Sequence, residues 1–324
     1  MGARVPTRRD GAVLLVNSTR GGELRAVRDV LTRSLDTPVV YLDHDDLRTA
    51  SLALDHASGT LTVEGRRITP IVTWIRHSSA SAIIAQARPT HPRTVLDAHC
   101  WADLLGQVAG RAAVALPGPA PTGAGQLHDA QRLGVAVPRT VVGTDVASAA
   151  AVLGADLIVV KTPDFRLYQP DPADWAPHLP AVGGPEQVGP ARTGAPVVVQ
   201  EYVRHSRELR VYHLDGGLCA FEVTAADPTT RWTDPDEVAV RHVACPPAAA
   251  DVVRALCAAW GLRYGAFDLL VDARGEVMFL EANPDGDWLY YEHRAGWHGV
   301  SFMAAVMVRA LFDSGGSREG VNVA

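Results

Sequence analysis

The apolar positions near the start of the chain follow the alternation of a β-α-β unit. Residues 12–16 and 38–42 are continuous apolar runs, and residues 22–35 between them carry apolar side chains at helical spacing. Short apolar runs on either side of such a helix are typical of strands joined by a crossover. A polar hairpin around 61–68 and another apolar strand over 71–75 follow. The pattern therefore predicts an N-terminal α/β domain.

A segment rich in proline and glycine separates this domain from the rest of the chain. Residues 116–123 read Leu-Pro-Gly-Pro-Ala-Pro-Thr-Gly and follow a predicted helix over 93–114. Downstream, the pattern predicts a helix over 125–133, a strand over 156–160 and a long lid-like loop over 162–195. The predicted domains are an N-terminal domain (1–116), a central domain containing the loop (117–200), a C-terminal domain (201–313) and a disordered tail (314–324).

Side chains that carry oxygen donor atoms lie at the ends of two apolar runs in the C-terminal part of the chain. Residues 267–271 and 276–280 are strand-like, and the turn chemistry between them predicts a hairpin with Asp268 near Glu281. Asn283 follows in the same segment. Carboxylate and amide oxygens suit Mg²⁺, which is normally shared with substrate phosphates. The sequence therefore predicts a magnesium site for nucleotide chemistry at these residues.

Composition and charge narrow the class of protein. A chain of 324 residues with 47% hydrophobic residues is predicted to be globular, and a net charge of −6 leaves no basic surplus for nucleic acid. No apolar run approaches a membrane span or a signal segment, so we expect a cytoplasmic protein without membrane or nucleic-acid partners. The cysteines are widely spaced, which predicts reduced, structural thiols at Cys100, Cys219, Cys245 and Cys257.

Lys161 is the only lysine in the chain, and it directly follows an apolar strand-like run. An ammonium group is a compact charge that fits between phosphate oxygens, whereas a guanidinium group prefers a planar partner. Further along, residues 197–203 read Val-Val-Val-Gln-Glu-Tyr-Val, and residues 207–210 read Arg-Glu-Leu-Arg. An apolar strand thus ends abruptly in a glutamate, ahead of a second charged strand.

The order of these motifs, over roughly residues 120–292, resembles that of the ATP-grasp ligases. The resemblance implies an α/β (α+β) fold with an N-terminal βαβ pre-ATP-grasp domain, a small central domain and a C-terminal antiparallel-sheet domain. It also implies ATP and Mg²⁺ as cofactors. By the same resemblance, Lys161 binds phosphate, Gln200, Glu201, Tyr202 and Val203 meet adenine, Glu208 binds the ribose, Arg210 and Arg231 are catalytic, and Asp268, Glu281 and Asn283 hold the metal.

Within this superfamily, the chain is similar to ligases that modify peptides. These are the maturases of ω-ester and ω-amide peptides, called graspetides, and enzymes like the ribosomal protein S6 glutamate ligase. The agreement includes Thr73-Trp-Ile-Arg-His77 and Ala282-Asn-Pro-Asp-Gly-Asp-Trp288. Two departures stand out. Residues 122–126 lack the second phosphate lysine of many relatives, and Thr-Pro-Asp after Lys161 replaces a glycine-rich flap.

Arg76 and His77 are candidate substrate contacts in the N-terminal domain. They follow the predicted strand over 71–75, at the carboxyl edge where open α/β sheets bind ligands. A solvated loop is the alternative interpretation of these two residues.

The resemblance implies an ADP-producing ligase that forms a carbon–nitrogen or carbon–oxygen bond through an acyl phosphate, acting on a ribosomally made peptide. Three alternatives stay open: a small-molecule amide ligase of natural-product biosynthesis, a nucleotide- or peptide-binding pseudoenzyme suggested by the missing lysine, and a kinase. The expected partner is a peptide or small-molecule carboxylate. Because relatives are often dimers or tetramers, the resemblance also admits a homo-oligomer.

Overall fold

The computed structural model describes residues 11–17, 21–43, 47, 49–80, 82–83, 92–119, 121, 123–163, 180–188, 195–225 and 237–318. The chain forms two compact units. The first comprises Met1–Gly118, Asp287–Tyr290 and His298–Ala324, and the second comprises Pro119–Gly286 and Tyr291–Trp297. Within the described ranges, no helix is long and apolar enough to cross a membrane.

The strands and helices are numbered in chain order. The strands are β1 (Gly11–Asn17), β2 (Val39–Asp43), β3 (Leu52–Leu54), β4 (Leu61–Val63), β5 (Arg66–Ile75), β6 (Val114–Leu116), β7 (Thr140–Gly143), β8 (Ile158–Lys161), β9 (Ala181–Gly183), β10 (Val197–Glu201), β11 (Arg207–Leu214), β12 (Gly217–Ala225), β13 (Val238–Val243), β14 (Tyr264–Val271) and β15 (Val277–Asn283). The helices are α1 (Glu23–Arg33), α2 (Pro92–Ala109), α3 (Gly125–Arg132), α4 (Val146–Leu153), α5 (Pro185–Val188), α6 (Pro247–Trp260), α7 (Leu289–Ala295) and α8 (Gly299–Arg318).

The first unit is built on a mixed sheet of order β2-β1-β5-β4-β3, in which β6 also pairs with β5. β1 is parallel to β2 and β5, and its continuous apolar run is buried, as expected of a strand covered on both faces. The amphipathic helix α1 buries Leu24, Val27 and Leu31. The predicted β-α-β opening is confirmed. Because β1 and β5 are adjacent and parallel, their carboxyl ends lie side by side. The chain leads from β1 to β2 towards one edge of the sheet, and β6 lies on the other side of β5.

The second unit contains an antiparallel sheet of order β7-β10-β8-β9. Its core combines valines of β10 with Ile158, Val160 and the apolar face of α4. Helix α4 begins at an Asp145 cap, whose carboxylate accepts a hydrogen bond from Ser148 N at 2.6 Å, and ends at the left-handed Gly154. This sheet presents Lys161 at the end of β8 and Glu201 at the end of β10.

A further antiparallel sheet of the second unit has the order β13-β12-β11-β14-β15. The predicted hairpin forms here, and Asp268 of β14 lies opposite Glu281 of β15, next to a β-bulge. On its other side, Asp268 lies opposite Arg210 of β11. The helix α6 packs on the sheet through Val253 and Leu256. Three charged side chains are therefore neighbours across adjacent strands.

Three sequence predictions are corrected by the structure. The helix predicted to reach residue 114 ends at Ala109, and Val114–Leu116 is instead the parallel strand β6. The loop predicted over 162–195 contains β9 and α5 among its described residues. Strands of three residues are too short to show an alternating pattern. The tail predicted to be disordered from residue 314 continues α8 to Arg318, because Gly315 lets the helix approach Ile71 closely.

Candidate functional site

The hairpin of β14 and β15 gathers the three predicted metal ligands. Strand pairing places Asp268 opposite Glu281, and Asn283 lies two residues further along β15, on the same face as Glu281. Two carboxylates and one amide oxygen are hard donors that fit Mg²⁺. Among the described residues, no group of three or more His, Cys, Asp or Glu side chains is placed to hold a metal. The donor set that fits Mg²⁺ therefore depends on the amide of Asn283.

A buried arginine neutralises one of these carboxylates. Arg210 Nη1 lies 2.7 Å from Asp268 Oδ2, and its guanidinium group lies over the rings of Tyr212 and Tyr291 at 5.6 and 5.2 Å. Burial acts to lower the pKa of Arg210, but the charge of Asp268 and the two tyrosines raise it well above its usual value. Arg210 therefore carries a permanent positive charge beside the hairpin.

A second ion pair joins the sole lysine to the other carboxylate. Lys161 Nζ lies 3.0 Å from Glu281 Oε2, and the lysine side chain is 15% exposed. The pair links the end of β8 to β15, and so connects the two sheets of the second unit. Each of the two hairpin carboxylates is thus paired with a positively charged side chain.

A cavity of about 180 Å³ lies beside these ion pairs and brings all six predicted nucleotide residues together. The segment from Gln200 to Val203 and the apolar side chains of Val159, Val182, Leu270 and Leu280 line it. Its charged lining residues are Lys161, Glu201, Glu208, Asp268 and Glu281. An apolar pocket with a few polar groups at one end is the usual form of a small-molecule site.

The segment that lines this cavity is held by backbone hydrogen bonds. Glu201 N donates to Arg139 O and Tyr202 N donates to Leu157 O, each at 3.0 Å. The Glu201 carboxylate is occupied by Arg139, since it accepts from the backbone N at 2.8 Å and from Nε at 2.7 Å. Glu201 therefore fixes the segment with its side chain, whereas the N–H of Val203 has no backbone partner among the residues that the structure describes.

His205 is a cavity residue that the sequence interpretation missed. Its Nδ1 lies 2.8 Å from Val203 O, and its Nε2 lies 3.0 Å from Glu208 Oε1. A lone histidine in an irregular loop gives no pattern in the sequence, so no signal was available to find it.

A smaller cavity of about 70 Å³ lies next to the hairpin, at the place of the missing second lysine. Gly123, Lys161, Glu281 and Asn283 line it together with Gln126. Gly123 has a positive φ of 54°, and a Cβ there would come within 2.9 Å of Pro163 O. The close approach of the two backbones therefore leaves no room for a side chain at this position.

Gln126 takes a structural role that the sequence interpretation did not assign. Its Nε2 donates to Ala282 O at 2.8 Å and to Pro121 O at 3.0 Å, while its Oε1 accepts from Ala282 N at 2.7 Å. Ala282 lies between Glu281 and Asn283. The buried amide of Gln126 therefore holds the backbone that carries two predicted metal ligands.

Arg76 and His77 meet a carboxylate in the first unit. Arg76 is completely buried, and its Nη2 lies 2.7 Å from Asp287 Oδ1, while Nη1 lies 3.6 Å from Glu23 Oε2. His77 Nε2 contacts the same Asp287 oxygen at 3.0 Å. Burial raises the pKa of Asp287, but the hydrogen bond from His77 and the charge of Arg76 outweigh it and hold the pKa below its ordinary value. The buried guanidinium group of Arg76 therefore orients the Asp287 carboxylate.

Two other sets of predicted residues have simple outcomes. Arg231 lies outside the described residues, so its role stays a prediction. All four cysteines are free, and burial raises the pKa of Cys219 and Cys257 to about 12. Cys219 and Cys257 therefore behave as structural apolar groups, as the sequence predicted, whereas Cys100, which was also predicted to be structural, is exposed.

Comparison with known proteins places the fold. No family model and no curated protein matches the sequence. The ATP-grasp ligase PsnB, complexed with a phosphomimetic variant of a minimal precursor, Mg and ADP, superposes with a TM-score of 0.74 at 20% identity, covering 94% of this chain and 99% of that chain. The macrocyclase MdnC from Microcystis aeruginosa, bound with precursor peptide MdnA, gives 0.69 at 17% identity, with coverage of 92% and 100%.

A synthetase has a similar fold. D-alanyl-alanine synthetase A from Vibrio cholerae gives a TM-score of 0.59 at 14% identity, covering 95% of this chain and 100% of that chain. These likenesses extend over nearly the whole chain. The chain therefore has the ATP-grasp ligase fold, as the order of its motifs predicted.

Proposed function

We propose that this chain, which has the ATP-grasp ligase fold, is an ATP- and Mg²⁺-dependent enzyme that joins a carboxylate to an amine or a hydroxyl and releases ADP. One observation carries the proposal: a single cavity is edged by Lys161, Glu208, Asp268 and Glu281 and lined by the segment from Gln200 to Val203. This lining supports the proposal because it combines a cation suited to phosphate, a carboxylate suited to ribose hydroxyls and hard oxygens suited to a metal.

The apolar and polar groups that line the cavity support its assignment to a nucleotide. The apolar lining suits a flat base, and the Val203 N–H suits the base edge, because the N–H groups of Glu201 and Tyr202 are already used within the protein. Glu208 receives the ribose hydroxyls, and Lys161 receives a phosphate oxygen.

The metal is assigned to Asp268, Glu281 and Asn283. Mg²⁺ held by these residues would neutralise negative charge that develops during phosphoryl transfer. The chain supplies the rest: Gln126 fixes the strand that carries Glu281 and Asn283, and Arg210 holds Asp268 in place.

The proposed reaction has two displacement steps. A substrate carboxylate oxygen attacks the γ-phosphorus, the bond to the bridging oxygen of ADP breaks, and an acyl phosphate forms. An amine or hydroxyl then attacks the acyl carbon, phosphate leaves with the bonding electron pair, and the nucleophile loses its proton. Arg210, charged and already oriented, offsets negative charge near the transferred group, and Arg231 is proposed to meet the acyl phosphate. No protein nucleophile takes part.

We propose a ribosomally made peptide as the substrate, as in a graspetide maturase. The support is the likeness to PsnB and MdnC, which are bound to precursor peptides in their structures. In the first unit, the substrate-facing groups are His77 and Asp287, with Arg76 orienting them from the interior. A small-molecule acid is the second candidate, favoured by the likeness to D-alanyl-alanine synthetase A.

Intact-mass analysis tests this proposal. The chain is incubated with ATP, Mg²⁺ and candidate peptides rich in Thr, Ser, Lys and acidic residues, and ADP is measured in parallel. We expect loss of one water from the peptide for each ADP released. A phosphorylated peptide would instead identify a kinase. ADP release with free amino acids alone would favour the small-molecule ligase, and no turnover or nucleotide binding would identify a pseudoenzyme.

A further inference from the structure

The loop between β10 and β11 places a histidine ring between two hydrogen-bond acceptors at the edge of the cavity. His205 Nδ1 lies 2.8 Å from the carbonyl oxygen of Val203, and Nε2 lies 3.0 Å from a carboxylate oxygen of Glu208. The two side chains are mostly buried, at 15% and 17% exposure. The ring thus connects the segment proposed to meet the base with the carboxylate proposed to meet the ribose.

The two nitrogens of the ring face two different groups. Nδ1 faces the carbonyl oxygen of Val203 and Nε2 faces the Glu208 carboxylate, both at hydrogen-bond distance. The ring is therefore placed to hold the two groups at a fixed separation.

We propose that His205 is a positioning residue that makes the site selective for nucleotides with ribose hydroxyls. It holds one oxygen of Glu208 through Nε2 and ties that carboxylate to the Val203 carbonyl through Nδ1. The base-facing segment and the ribose-facing carboxylate then act as one pre-oriented element. This inference rests on the proposed ATP site, and it adds a residue and a specificity to it.

The charges around the ring are consistent with this role. The Glu208 carboxyl group contacts His205 directly, and the Tyr202 ring lies 6.1 Å from the His205 ring between centroids. Lys161, Asp268 and Glu281 line other parts of the same cavity, and Lys161 and Asp268 are each held by a partner of opposite charge. The neighbouring Arg204 is exposed.

The test compares ATP with 2′,3′-dideoxyATP, which has the same base and triphosphate but lacks both hydroxyls. Dissociation constants for each nucleotide with Mg²⁺ are measured by calorimetry for the wild type, His205→Ala, Glu208→Gln and the double variant. We expect the wild type to prefer ATP by about tenfold or more, the equivalent of at least one charge-assisted hydrogen bond. His205→Ala should lose most of this preference by weakening ATP alone, and the double variant should be no worse than Glu208→Gln.

Matched controls separate positioning from folding. Arg204→Ala, in the same loop, should keep the wild-type preference, and thermal unfolding checks every variant. His205→Gln serves if the alanine variant does not fold.

An unchanged preference for ATP in a folded His205→Ala variant overturns this inference and leaves the proposed function intact. The same holds if the wild type binds the two nucleotides equally. If the wild type binds neither nucleotide, the proposed function fails, and this inference fails with it.

Discussion

Lys161 Nζ lies 3.0 Å from Glu281 Oε2, so the only lysine of the chain is paired with a proposed metal ligand. The pair lines both cavities of the site. Each group is the counter-ion of the other before nucleotide arrives. Under the proposed function, Lys161 would meet a phosphate oxygen and Glu281 would hold the metal, so both charges would stay compensated.

Glu281→Gln separates the chemistry of this pair from its contribution to stability. Glu281 is 44% exposed, and ion pairs of that kind contribute about 0–1 kcal/mol. We expect the free energy of unfolding in urea to change by less than about 1 kcal/mol, while ADP production falls by about 100-fold or more, because a metal ligand is lost. Near-normal turnover in the folded variant would remove Glu281 from the metal site.

Asp268→Ala should behave differently, because its partner is buried. Removal of the carboxylate leaves the charged Arg210 uncompensated in the interior, and breaking such a pair costs about 3–5 kcal/mol. We expect loss of ADP production together with a large drop in the urea midpoint. The double variant Asp268→Asn, Arg210→Met should recover stability and stay inactive. An unchanged urea midpoint in Asp268→Ala would contradict the expected cost of breaking the buried Arg210–Asp268 ion pair.

Gln126→Ala tests the support beneath the metal hairpin. The substitution removes three hydrogen bonds to Pro121 and Ala282 and leaves buried backbone groups without partners, which costs about 2–4 kcal/mol. Because Ala282 lies between two proposed ligands, the Mg²⁺ concentration for half-maximal ADP production should rise. Gln131→Ala, an exposed position on the same helix α3, is the matched control. Equal Mg²⁺ dependence in both variants would limit Gln126 to a structural role.

Cysteine reactivity checks the burial of the thiols. Burial raises the pKa of Cys219 and Cys257 to about 12, so the reactive thiolate is scarce near neutral pH, whereas Cys100 is exposed. Peptide mass spectrometry after iodoacetamide treatment of the native chain at about pH 8 should find Cys100 modified and the two buried thiols intact. All should react in urea. Modification of Cys257 in the native chain would show that its surroundings open.

The sequence predicted the parts of the site that follow from local patterns. An apolar alternation with turn residues sets the register of a hairpin, and so Asp268 and Glu281 could be paired in advance. Lys161 and the segment from Gln200 to Val203 were predicted because each lies at the end of an apolar strand. These predictions depend only on residues that are close together in the sequence.

The remaining features depend on contacts between distant segments. Gln126 meets Ala282 across 156 positions, and Arg76 meets Asp287 across 211. No period in the sequence reports such pairs. Arg76 was expected at a ligand-facing edge, yet it is buried because two carboxylates from distant elements neutralise it. His205 contacts Glu208 only through an irregular loop, whose conformation the apolar pattern does not determine.

The most direct measurement of the central claim uses the fact that Lys161 is the only lysine side chain. The folded chain is treated briefly with an amine-reactive acetylating reagent, and acetylation of Lys161 is quantified by mass spectrometry with ATP and Mg²⁺, with adenosine and Mg²⁺, or with Mg²⁺ alone. We predict that ATP with Mg²⁺ slows acetylation of Lys161 and that adenosine, which lacks phosphates, does not. Equal rates in the presence and absence of saturating ATP and Mg²⁺ would contradict the assignment of this cavity to a nucleotide.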